Sequence, residues 1–243
     1  MAPQSTSDSN NADKREAREK KISAFNLPII PNFQISDISA EARQDFLNGC
    51  FRSSILCSAI VVEQSLMDSL ILNSEDWKGT YRRTERSNSR FDYVIFQARK
   101  KRFASIDIIN EADWLRRARN KVAAHPLFVG MIWQVKKGQL EMKKDDVVIW
   151  ANKTMIREFG RLLNFLEPEM KKEIEDTECS GPDKNGNIVY FTIKDVVCQK
   201  TTNLFFNTVL CVGLKEQLLE EIALAAYGKM VRVVTSLLQP SNN

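Results

Sequence analysis

Histidine occurs once in these 243 residues, at position 125, within the stretch RARNKVAAHP that spans 117–126. An imidazole titrates near neutrality and so gives and takes protons, while a guanidinium such as that of Arg119 keeps its charge and forks onto phosphate oxygens. Arg119, Asn120 and His125 therefore have the residue types for proton transfer at a phosphate. A single histidine also excludes much. Metal centres built on two or three imidazoles of one chain cannot form, and two histidines cannot serve as separate acid and base unless two chains meet. A carboxylate-only magnesium site would need a compact acidic motif, and none stands out, so neither a metal nor a cofactor is expected. The plain alternative for His125 is a polar side chain at a helix exit.

Charge points toward the same stretch. The net charge is only +4, but residues 81–121 hold twelve basic side chains against five acidic ones, a local +7. Arg82, Arg83, Arg86, Arg90, Arg99, Lys100, Lys101, Arg102, Arg116 and Lys121 are candidate RNA-binding residues, because phosphate contacts dominate nucleic-acid affinity. Tyr81, Phe91, Tyr93 and Trp114 are aromatic neighbours on which single-stranded bases could stack. The competing reading is a solvated basic face with its aromatics in the core.

The elements that must position these residues read as helices. Nine Gly and seven Pro in the chain, with runs of Ala, Leu, Glu, Lys and Ile, favour helix over turn-rich β structure. Residues 1–24 form a polar N-terminal tail, expected to be flexible, with KREAREKK as one solvated helical turn. Residues 25–243 are expected to form a single helical domain, with a core over about 38–178 and a C-terminal helical extension over about 188–239. From Ser39 an apolar stripe runs through Ala42, Phe46, Phe51, Ile55, Ala59, Val62, Leu66 and Leu70, one long helix or two nearly collinear ones broken near Gly49. Glu63 lies in it, either at the edge of the buried stripe or paired with an arginine from another helix.

Residues 73–90 read as an exposed polar segment, Phe91–Phe103 as a helix, and Ser105 or Asn110 as the start of the helix carrying the motif. Pro126 ends that helix. Met131–Val135 and Gln139–Met142 suggest a small β-hairpin, helical periodicity resumes from Thr154 to near Glu178, 180–187 is a turn-rich break, and two more helices follow from Ile193 to Leu238. The fold class is thus mainly all-α, with a small hairpin insertion. Five cysteines, an odd number without a CxxC pair, read as small core residues in a reducing cytoplasm. No secretory signal and no apolar run of membrane-spanning length is read, so no membrane association is expected.

Arg119-Asn120, four residues and His125 match the R-N-x4-H arrangement of the HEPN superfamily, and DFLNGCFRSSILCSAIVVEQSLMDSLI resembles the first long helix of many of its members. The resemblance spans about residues 38–127; residues 128–243 share only a largely helical character. It implies a HEPN-like helical bundle and a metal-independent endoribonuclease acting as a homodimer, often a toxin or a defence effector held by an antitoxin or other regulatory protein. His125 would then be the general acid/base, Arg119 the ligand of the scissile phosphate, Asn120 an orienting group and Glu63 an anchor for Arg119. Leu127 stands where one family branch has a modifiable tyrosine, so no nucleotidyltransferase partner is inferred.

The chemistry agrees: attack of a 2′-hydroxyl on its own phosphate needs a base, an acid and positive charge, which two chains sharing one seam would supply. On an ideal helix residues six apart point about 120° away from each other, so the helix must unwind before Pro126 or each residue must meet a partner from the other chain. Two rival readings stand beside the enzyme, a non-catalytic RNA- or nucleotide-binding regulator or assembly subunit, and a helical scaffold in which His125 only caps a helix.

Overall fold

In the computed structural model, which describes residues 6–87, 90–123, 160–182, 187–198 and 204–238, Gly49 adopts a φ of +79°. It separates α2 (Phe33–Leu47) from α3 (Phe51–Leu72). The Cys50 amide donates to the Asp45 carbonyl at 2.8 Å and the Gly49 amide to Phe46 at 3.0 Å, which closes the end of α2 around the left-handed glycine. The two helices are not collinear. Twelve residues of continuous helix would separate positions 42 and 54 by about 18 Å, yet the buried Ser54 hydroxyl donates to the Ala42 carbonyl at 2.8 Å and the Phe46 and Phe51 rings lie 5.9 Å apart. Ile55, Ala59, Val62, Leu66 and Leu70 of α3 are fully buried, as the stripe predicts. Among the described residues α3 is the one helix long and apolar enough to cross a membrane, and most of its apolar stretch is buried inside the protein.

Helix extends beyond the sequence expectation in two segments. The polar N-terminus forms α1 (Thr6–Ile22), because its charges find partners on other helices. Arg15 donates to Asn48 at 2.7 Å, Arg18 lies over the Phe51 ring, Glu19 pairs with Arg43 and Ile22 is buried. The segment after Asn73 holds α4 (Trp77–Glu85), whose N-cap Asp76 accepts from the Gly79 amide at 3.0 Å. Its buried positions are Thr80 and Thr84 rather than aliphatics, so apolar periodicity passes over it. The Thr84 hydroxyl donates to the Thr80 carbonyl and Ser74 shares a hydrogen bond with Thr80, both satisfied locally.

Next come α5 (Arg90–Lys101) and α6 (Ile106–Ala118), capped by Ser105, which accepts from the Ile108 amide. Arg102 ends α5 with φ 55°, a left-handed position usually given to glycine. A single π-helical turn, Arg119–Ala123, follows α6 directly.

The chain forms two compact units, Met1–Ala124 with Ala223–Asn243, and His125–Ile222. The end of the last helix completes the first unit. There Tyr227, Met230, Val233 and Val234 are buried, Arg232 donates to Glu111 at 2.7 Å, and the Phe25 and Tyr227 rings meet edge-on at 6.2 Å. These partners lie a hundred or more positions apart, where periodicity is blind. The second unit contains α7 (Pro168–Glu175), an antiparallel hairpin of β1 (Glu178–Pro182) and β2 (Ile188–Thr192), and α8 (Ile193–Val197). Thr192 and Asp195 close a reciprocal capping box at the start of α8. The observed hairpin therefore flanks the turn-rich break at 180–187, whereas the hairpin expected at 131–142 lies outside the described residues. The last helix, α9 (Leu204–Leu238), belongs to the second unit up to Ile222 and to the first thereafter.

A β-carbon added at Gly228 would lie 2.6 Å from the Phe25 ring. Gly228→Ala is therefore expected to lower stability by about 1–3 kcal/mol in urea unfolding, and Phe25→Leu in the same chain to recover part of that loss.

Candidate functional site

Glu63 interrupts the apolar run of α3, and its side chain is only 9% exposed. A carboxylate there costs several kcal/mol unless cations and hydrogen bonds compensate it (~1–3 kcal/mol per unmet bond alone). Two guanidiniums do so. Arg119 Nη1 donates to Oε2 at 2.5 Å and Arg90 Nε donates to Oε1 at 3.0 Å, so the carboxylate joins α3 to the start of α5 and to the π turn. Arg90 Nη1 also reaches Glu85 at 3.2 Å. Its proton is bound more tightly than usual, chiefly through the Glu63 hydrogen bond.

Arg119 is fixed on three sides. Besides Glu63, its Nε donates to Asn120 Oδ1 at 3.2 Å, and its guanidinium lies 5.2 Å above the Phe91 ring. Its remaining nitrogen, Nη2, has no hydrogen bond among the described residues. The result is a partly exposed, pre-oriented guanidinium with one edge able to take an anion. Arg119 also opens the π turn, a wide turn that recurs at functional positions of helices. The helix thus changes form before Pro126, while His125 itself lies outside the described residues.

The basic stretch divides. Arg116 is spent on Asp92 and Asp113, at 2.8 and 2.9 Å. Arg83 lies 3.4 Å from Asp76, Arg90 is held as above, and Arg99 reaches Asn110 at 3.5 Å. Arg82, Arg86, Lys100, Lys101, Arg102 and Lys121 are exposed and form no ion pair among the described residues. Of the aromatics, Phe91 is a core residue beneath Arg119 rather than a stacking surface, whereas Tyr81 is exposed. Phe96 and Trp77, exposed on α5 and α4, were not singled out in the sequence. The charge pattern of the sequence points to Arg90 as a phosphate contact. The signal for its second role was Glu63 itself, since one buried carboxylate between apolar neighbours demands cations from elsewhere.

Glu41 and Asp45, one turn apart on α2, meet Cys57 of α3 with donor atoms within 4.8 Å of one another. This group could hold a metal ion, and the bend at Gly49 hides it from the linear sequence. The Cys57 thiol is pushed up to about 11, first by burial and then by the carboxylates of Glu41 and Asp45. Comparison with protein families, curated proteins and solved structures finds no match to the chain.

Two outcomes are expected. Glu63→Gln should cost about 2–4 kcal/mol in denaturant unfolding, whereas Arg90→Gln, at a more exposed partner, should cost about 1 kcal/mol or less. In mass-mapped alkylation of the native protein at pH 8, Cys57 should react at least about a hundredfold more slowly than the exposed Cys50, since only the thiolate attacks.

Proposed function

We propose that the chain is a HEPN-type, metal-independent endoribonuclease that cuts RNA by attack of the 2′-hydroxyl on the adjacent phosphate. The observation that carries this reading is the mounting of Arg119. A charged side chain held by Glu63, Asn120 and Phe91 with Nη2 left over is preorganised to bind a phosphate and to stabilise the charge of a phosphorane. In this reading His125, six residues on in the sequence, moves the protons. With a single imidazole per chain, base and acid come from two chains, so the working form is a homodimer.

The exposed cations of α4 and α5 hold the flanking phosphates, and Tyr81 supplies a stacking surface. The same reading makes the protein a toxin or defence effector of the cytoplasm, restrained by an antitoxin or other regulatory protein. Cys50, Cys57, Cys179 and Cys198 are free thiols, which supports a reducing compartment.

The test is cleavage of mixed cellular RNA in excess EDTA by the wild type, His125→Ala and Arg119→Ala. New 2′,3′-cyclic phosphate ends from the wild type, reduced about 10²–10⁴-fold in both variants, are the expected result. Undiminished cleavage by His125→Ala would sink the mechanism. RNA binding without cleavage by the wild type would favour the non-catalytic regulator.

A further inference from the structure

A cavity of about 230 Å³ opens where α2, α3 and the end of α9 meet. Ile30, Pro31, Ile35, Val234 and Leu237 form its apolar walls, and Asp68 is the one charged side chain among its lining residues. The Asp68 carboxylate is held by neutral amides: Asn32 Nδ2 donates to Oδ2 at 3.0 Å and Gln64 Nε2 to Oδ1 at 2.9 Å. Asn32 is itself fixed as the N-cap of α2, its Oδ1 accepting from the Gln34 and Ile35 amides. Amides orient a carboxylate without neutralising it, and Asp68 has no ion-pair partner among the described residues.

The rim is apolar and open. Leu72 and Leu238 line the cavity and are 84% and 40% exposed, and Ile29 and Phe33, each next in sequence to a lining residue, are 94% and 75% exposed. Exposed apolar side chains beside a cleft mark a protein-binding surface. The cleft is smaller than the ~300–1,000 Å³ of typical small-molecule sites; it fits one or two side chains of a partner.

We propose that this groove docks an amphipathic helix of a different protein, one whose apolar stripe is flanked by a lysine or arginine that pairs with Asp68. Charge decides the occupant. Two-fold pairing of this face with a second copy would bring two Asp68 carboxylates together, and like charges across an interface are costly. A partner helix with apolar anchors one turn apart would bind by helix-in-groove recognition, and a basic residue beside them would complete the carboxylate. The surface is independent of the Arg119 site. At about 100° per residue, Ser65, Asp68, Ser69 and Leu72 lie across α3 from Glu63, so a docked partner leaves the guanidinium cluster uncovered.

The test uses the full chain and three fluorescein-labelled synthetic helices of about fifteen residues. All carry leucines at i, i+4 and i+7, and lysine, glutamine or glutamate at i+3; fluorescence anisotropy reads binding. The lysine helix is expected to bind about tenfold or more tightly than the glutamate helix, and Leu72→Glu with Leu238→Glu to weaken all three. Asp68→Lys should invert the order, an outcome that misfolding does not produce. Failure of the lysine helix to bind, equal affinity for the three helices, or a preference that survives Asp68→Lys would overturn the proposal. So would self-association in sedimentation that Leu72→Glu abolishes, which would assign the face to a second copy.

Discussion

A carboxylate set into an apolar helix constrains everything packed around it. A carboxylate as buried as that of Glu63 is costly to leave unpaired, and the two cations that reach it come from different elements, Arg90 at the first residue of α5 and Arg119 at the start of the π turn. Buried ion pairs are poor sources of net stability, because desolvation consumes most of the Coulombic gain. Their value is positional. One side chain with two oxygens sets where α5 begins and where α6 gives way to the π turn, and it leaves Arg119 with one nitrogen uncommitted.

Polar groups elsewhere in the first unit do similar work where aliphatics would ordinarily be used. Ser54 ties α3 to the backbone of α2, and the buried threonines of α4 satisfy each other and the preceding turn. Directional bonds of this kind fix register at specific residues, whereas apolar contact alone tolerates sliding. The α3 helix, buried on most sides, thereby serves two surfaces: guanidiniums gather around Glu63, and the amide-held Asp68 faces an apolar groove.

What the sequence disclosed follows from the range of each signal. The stripe from Ala42 to Leu70 was legible because burial recurs at the helical period, and the cap at Ser105 because its chemistry is local. That Glu63 pairs with an arginine is legible as one of two readings of its place in the stripe, but Arg119 is named only through family resemblance and Arg90 is not named at all. Both depend on contacts between residues 27 and 56 positions apart. The collinear reading of α2 and α3 failed at Gly49, where apolar spacing carries no information about direction. The helix at Thr6–Ile22 is legible only as the turn KREAREKK for the opposite reason, since its stabilising contacts are made by charged side chains that composition assigns to water.

The last helix carries a temporal consequence. The first unit is closed by residues 223–243, which leave the ribosome only after the whole second unit has been made. At synthesis rates of about 5–20 residues per second, the nascent helices that hold Glu63 and Arg119 wait several seconds without Tyr227, Met230 and Val234 against them. Closure of the first unit thus waits on synthesis of the second. A polypeptide that stopped before residue 223 would carry Glu63, Arg90 and Arg119 and still lack the helix end that completes their unit.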